Sequence, residues 1–273
     1  TLVAVGVIVL ITGLVLSGIR RSNWGNALLV ALAVAALAVF VVIAFGAEPA
    51  AREAAESVNA SSQRGSAFDL TAVLHATALM FVAYTGYGRV ATLGEEIHNP
   101  RQNIPIAVIA TLAAVLVIYL AVAIAGVQEH VFGYFSNTDG TAAAAPLEAA
   151  VKGLAGPGWG WVITVGAAAA LLGVLLNLIL GLSRVVLAMG RERDVPGVFA
   201  GVNASGTTPV PAVLLVAVIL GGLALIGDVK TTWTFSAFTV LVYYALTNLC
   251  ALRLSNEERF YPRFVSVLGL AAC

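Results

Sequence analysis

Residues 81–100 read FVAYTGYGRVATLGEEIHNP. A stretch apolar enough to enter a bilayer breaks at Thr85-Gly86-Tyr87-Gly88, carries Arg89, and runs into Glu95 and Glu96 ahead of Pro100. Lipid offers the backbone no hydrogen-bond partners, so a segment that leaves helical geometry at membrane depth must be buried in protein or line a wet cavity. Gly86 and Gly88 lower the conformational cost of such a break, and Phe81 and Tyr84 set aromatic rings beside it. A half-helix ending there presents carbonyls to a cation, and a second half-helix beginning beyond presents amides to an anion. Two glycines with small neighbours also suit close helix packing, and on pattern alone packing is the commoner cause.

The surrounding composition sets the solvent. Of 273 residues, 60% are hydrophobic and 10% charged, with a mean hydropathy of +0.97, against about a quarter charged in soluble domains. The chain is expected to be an all-α membrane protein. A net charge of zero provides no basic surplus for nucleic acid and no acidic surplus for a metal store; the hydropathy makes the lipid bilayer the expected partner. Cys250 and Cys273 lie in apolar runs, where a thiol usually behaves as a small buried hydrophobe.

A helix needs about 20 mostly apolar residues to cross the hydrocarbon. Such runs occur at Leu2–Ile19, Ala27–Phe45, Phe68 to about Leu93, Ile104–Val127, Gly158 to about Met189, Val210–Ile226 and Thr232–Leu254, giving seven crossings and an incomplete eighth from Phe264. The run from Gly158 exceeds the bilayer thickness, and its surplus is expected in the cytoplasm. The connecting segments alternate in charge. Arg20, Arg21, Arg89, Arg101, Arg184, Arg191, Arg193, Arg253, Arg259 and Arg263 fall on one side; Arg52, Arg64, Lys152 and Lys230 fall on the other, so the 14 basic residues divide 10 to 4. The positive-inside rule puts the first set in the cytoplasm. Loops 20–26, 94–103, 190–208 and 255–263 are then cytoplasmic, and loops 46–67 and 128–157 lie outside. Within the second outer loop, PLEAAVK from Pro146 predicts a short helix with proline in its first turn.

Enzymatic motifs are missing from the sequence. Lys152 and Lys230 follow valines, so no GxxxxGK[ST] phosphate loop exists. The residues after His75, His98 and His130 are Ala, Asn and Val, which excludes HExxH, and no GxSxG elbow occurs. The chain is read as a non-enzyme that needs no cofactor or metal. A channel or a helix-packing scaffold is the alternative class, although nothing repeats like a charge ring or carbonyl filter.

The full string F-x-A-Y-x-G-Y-G-R-x-A-T-x-G-E-E-x-x-N-P-R-x-x-I-P-x-A resembles the sixth transmembrane segment and following loop of the amino acid, polyamine and organocation transporter superfamily. GLSRVVLAMGRERDVP from Gly181, with TPVPA from Thr208, looks like the family's eighth segment and its exit; LVYYALTNL from Leu241 is similar to its tenth. The resemblance covers the whole chain. It implies a truncated LeuT-like inverted-repeat fold in a single transmembrane domain, 1–273: residues 1–46 would be the last two helices of the first repeat, 68–254 the second repeat, and 255–273 the start of the eleventh helix. The open beginning at Thr1, without an initiator methionine, fits a piece of a longer protein.

The implied function is secondary active transport of amino acids or related amines across the plasma membrane by alternating access. A polyamine or organocation exchanger is the alternative within the same fold. By resemblance the substrate contacts are Phe81, Val82, Ala83, Tyr84, Thr85 and Gly86, with backbone carbonyls on the ammonium group and Tyr84 or Phe81 closing over it. Glu95 and Glu96 lie at the cytoplasmic end with Arg184, where one glutamate is expected to bridge to the arginine when the inward gate is shut. The coupling ion stays open. The fifth helix has Ala33 where some proton-coupled members carry lysine, and Gly88 stands where many carry an acid. The eighth helix offers Asn177 and Ser183 without an adjacent hydroxyl pair for sodium. His75 is a minor candidate proton carrier.

Overall fold

The computed structural model describes residues 2–47, 70–86, 97–128, 131, 145–203, 208–226, 229–255, 259 and 261–273. Nine α-helices run through the described residues: α1 (Leu2–Leu16), α2 (Ile19–Gly46), α3 (Leu70–Ala83), α4 (Pro100–Gly126), α5 (Pro146–Ala155), α6 (Gly160–Arg191), α7 (Val210–Ile226), α8 (Val229–Arg253) and α9 (Arg263–Ala272). Short 3-10 turns at Pro157–Trp159 and Gly197–Ala200 flank α6. Among the described residues, three stretches suffice by length and composition to cross a membrane: Ser22–Gly46, Pro100–Gly126 and Pro157–Arg191. Leu2–Leu16, Val210–Leu225, Phe238–Arg253 and Arg263–Ala272 are apolar but shorter. At 1.5 Å per residue, the 32 residues of α6 extend about 48 Å, well beyond the roughly 30 Å hydrocarbon layer.

The helix boundaries correct two predicted loops. Residues 20–26 are not a loop, because α2 starts at Ile19 and its first two turns include them. The actual break is Ser17–Gly18. Gly18 takes φ +114, a conformation only glycine adopts readily, while Ser17 Oγ donates to the Leu14 carbonyl at 2.7 Å. Buried Ser22 also donates to the Leu14 carbonyl, at 3.3 Å, so side-chain hydroxyls satisfy a carbonyl that the break releases. Likewise α4 starts at Pro100, inside the predicted loop 94–103: Asn99 turns left-handed at φ 49, proline takes the first helical position, and Asn103 Nδ2 donates to the His98 carbonyl at 2.5 Å. The predicted helix at Pro146 is α5. Cys250 and Cys273 are free and exposed, not buried; an apolar helix flank needs no protein cover where lipid is the solvent.

The chain forms two compact units, Thr1–Leu70 with Gly86–Gly221, and Thr71–Thr85 with Gly222–Cys273. In the first, α2 packs along α6 on small residues. A Cβ placed on Gly166 would lie 2.1 Å from that of Ala36, and one on Gly173 would touch Leu29 at 3.6 Å. Such close approach is how helices associate where burial from water cannot drive them together. One apolar cluster joins Ile11 and Val15 of α1 to Leu176 and Ile179 of α6 and to Val213 and Val216 of α7. A second joins Phe40 and Ala44 of α2, Ala125 of α4, Val151 and Leu154 of α5, Ile163 of α6, and Val131 from the segment between α4 and α5. The outward faces are also apolar: Leu171 and Val218 are 72% and 73% exposed. In the second unit α8 packs on α9.

The α5 segment is pinned by charge. Glu148 in its first turn pairs with Lys152 one turn on at 2.5 Å and accepts Thr164 Oγ1 at 2.8 Å. The lysine bond, then the threonine bond, hold the Glu148 carboxyl below its ordinary pKa. A carboxylate depressed on folding stabilises above its unfolded pKa of about 4.3 and loses that contribution as pH falls through the lower folded value. Thermal unfolding of wild type and Glu148→Gln should therefore differ at neutral pH and converge toward about pH 3. A gap that stays constant with pH contradicts this role.

Candidate functional site

The helix carrying the sequence signature stops where the signature turns to glycine. α3 ends at Ala83, Tyr84 is a turn residue, and Thr85 and Gly86 lie outside helical structure. The Tyr84 amide bonds to the Phe81 carbonyl at 3.1 Å, an i→i+3 closure that tightens the last turn. Gly86 then takes φ +100. A Cβ there would meet nothing within 4 Å, so glycine is required by the backbone path and not by crowding.

Ending a helix withdraws the carbonyls of its last turn from the intrahelical ladder and concentrates the negative end of the helix dipole there. The residue types around that end are aromatic and small. Phe81, Tyr84, Thr85 and Gly86 are half-buried and Ala83 is exposed; Val82 and His75 are described by backbone alone. Thr77, upstream, directs its hydroxyl into its own helix, donating to the Val73 carbonyl at 2.8 Å. Phe81 meets Tyr244 of α8 edge to face, with ring centroids 6.0 Å apart and planes at 87°. Both rings belong to the second unit. The sequence flagged Phe81 but not Tyr244, whose only sequence signal is its place in the LVYYALTNL string.

Of the three predicted gate residues, Arg184 lies half-buried on α6 beside fully buried Ser183, whose hydroxyl donates to the Leu180 carbonyl at 2.9 Å. Glu95, Glu96 and Gly88 lie outside the described residues. Asn177, noted in the sequence as a polar residue within an apolar run, donates to Asn26 Oδ1 of α2 at 2.7 Å and to the Gly173 carbonyl at 2.9 Å. The pair bridges the two helices whose close packing organises the first unit, and Asn26 was not foreseen. At the cytoplasmic end predicted for α6, Arg193 turns left-handed at φ 67 and the Asp194 amide reaches back to the Met189 carbonyl at 2.9 Å, closing the helix with a Schellman-type cap.

The chain is similar in sequence to known proteins along its whole length. The profile of the family described as amino acid permease matches residues 1–273. An uncharacterized transporter of Mycobacterium tuberculosis is 38% identical over 275 residues, covering 99% of this chain and 59% of that protein. Cationic amino acid transporter 6 of Arabidopsis thaliana, chloroplastic, is 29% identical over 256 residues, covering 92% of this chain and 42% of its own length. The methylthioribose transporter of Bacillus subtilis is 28% identical over 241 residues, covering 86% and 49%. The chain thus spans little more than half the length of the first of these relatives and less of the others. With the profile matched from end to end, the chain belongs to the amino acid permease family, within the amino acid, polyamine and organocation superfamily.

Proposed function

We propose that this chain forms part of a secondary transporter that carries amino acids or related amines across the plasma membrane by alternating access, with the substrate held where α3 unwinds. The observation that carries this reading is the end of α3 at Ala83 followed by Gly86 at φ +100. Polar backbone exposed within an apolar segment requires a polar occupant or water. The carbonyl end of a half-helix suits an ammonium group. Phe81 and Tyr84 wall the site, and Val82, Ala83, Thr85 and Gly86 supply backbone. In this reading α1 and α2 close a first five-helix repeat, residues 68–254 form the inverted second, and 255–273 begin the next helix. Loops 46–67 and 128–157 lie outside, and the Ser17–Gly18 turn lies in the cytoplasm. Arg184 serves the inward gate with Glu95 or Glu96.

No acid occurs between Phe81 and Gly86 to pair a cationic side chain, which favours a small or neutral amino acid. Similarity to relatives such as the cationic amino acid transporter of Arabidopsis thaliana favours a cationic one, and both classes belong in the same assay. Counterflow of labelled alanine, leucine or arginine into liposomes carrying the complete gene product should be saturable and stereoselective. Linear, non-saturating flux, as through a channel, overturns the carrier reading.

A further inference from the structure

Phe81 occupies the last turn of a helix that ends at Ala83. A helical side chain leans back over the turn before it, and beyond its own helix the Phe81 ring meets a second element, α8. Tyr244 meets the Phe81 ring in a T-shaped contact at 6.0 Å and 87°, and Tyr243 lies tilted against Tyr244 at 5.4 Å and 46°. The Tyr244 carbonyl accepts Asn248 Nδ2 at 2.9 Å. Asn248 is pressed from its other side by α9, where a Cβ on Gly269 would come within 2.6 Å of Oδ1. Every member of this chain of contacts lies in the second unit, which links the ring at the break to the packed pair of α8 and α9.

We infer that Tyr244 is a positioning residue: by fixing the Phe81 ring it sets the width of the aromatic wall, and so the size of side chain that the site accepts. This rests on the reading of Phe81 as a wall of the substrate site. Edge-to-face geometry matters here because an aromatic pair has a preferred offset arrangement and not merely a contact area. A ring held edge-on by Tyr244 has one orientation, and removal of that partner frees it to rotate into or away from the solute. The contact with Phe81 is made by the tyrosine ring, so phenylalanine should preserve it.

The test uses the complete gene product in liposomes, with Phe81→Ala, Tyr244→Ala, Tyr244→Phe and the Phe81→Ala/Tyr244→Ala double variant. Alanine, leucine, phenylalanine and arginine are the labelled probes. Tyr244→Ala is expected to raise KM by about 3- to 10-fold for the bulkier transported probes and to reorder the size preference, with Vmax held. Tyr244→Phe should match wild type, and Tyr244→Ala should add nothing once Phe81 is alanine. Additive effects in the double variant, a fall in Vmax with KM and size ranking unmoved, or wild-type behaviour of Tyr244→Ala would overturn the inference. A Tyr244→Ala protein that does not fold leaves Tyr244→Phe and Tyr244→Leu to decide, the first retaining and the second losing the size ranking. If Phe81→Ala itself leaves KM unmoved for every probe, the substrate-wall reading fails first and takes this inference with it.

Discussion

Alanine in place of Gly86 should cut uptake by roughly 5- to 150-fold while leaving the amount of folded protein in the membrane unchanged. The reason lies in the backbone. Gly86 sits at φ +100, outside the regions that residues with a Cβ occupy without strain, and holding such a residue there costs about 1–3 kcal/mol, which is the stated fold range at about 1.4 kcal/mol per decade. No clash contributes, because the added Cβ meets nothing within 4 Å. A strained residue relaxes by returning to helical dihedrals, which would prolong α3 beyond Ala83 and draw its last carbonyls back into hydrogen bonds with the chain. On the proposed reading, the substitution therefore shifts the population away from the unwound, solute-binding form. Uptake kinetics alongside a size-exclusion profile of the purified protein would check both halves of the expectation. Wild-type kinetics in Gly86→Ala contradict it.

A different mechanism makes Gly166 sensitive for folding. A Cβ there would fall 2.1 Å from the Cβ of Ala36, and both atoms are fixed to helix backbones, so no rotamer can relieve the overlap. α2 and α6 would have to separate, disturbing the Gly173–Leu29 contact and the 2.7 Å Asn177–Asn26 hydrogen bond on the same interface. Overpacking of this kind costs about 1–3 kcal/mol. Gly166→Ala should therefore melt at lower temperature in detergent, and Ala36→Gly in the same protein should restore most of the loss by returning the missing space. A variant with the wild-type melting point, or a double variant no better than the single, would show that the two helices do not meet at these residues.

Much of the fold was legible because membrane solvation writes it in composition. The apolar runs anticipated α4, α6 and α7, and the proline at 146 anticipated α5. The start of α2 was hidden because Arg20, Arg21 and the polar residues to Asn26 look like a loop, whereas a helix can extend past the hydrocarbon, here with Ser22 satisfying the Leu14 carbonyl released at the end of α1. The break at the end of α3 was legible for the opposite reason: glycine beside aromatic residues has a local cause and a local effect. Partners set by helix register were not. Tyr244 lies far along the chain from Phe81, and Asn26 is 151 residues from Asn177; nothing in a linear string says which face of one helix meets which face of another. The exposed Cys250 and Cys273 show the same limit, since an apolar run fixes the solvent of a residue's surroundings but not whether protein or lipid supplies it.

The most direct test of the unwound segment is the reactivity of a thiol placed within it. Thr85→Cys in a Cys250→Ser, Cys273→Ser background should react with a membrane-impermeant maleimide from the aqueous phase, and an excess of the transported amino acid should slow that reaction, because the proposed function seats the solute at the same break. A cysteine at 85 that reacts only with lipid-soluble reagents, at a rate no solute alters, would mean that the segment faces hydrocarbon as continuous helix and grips nothing.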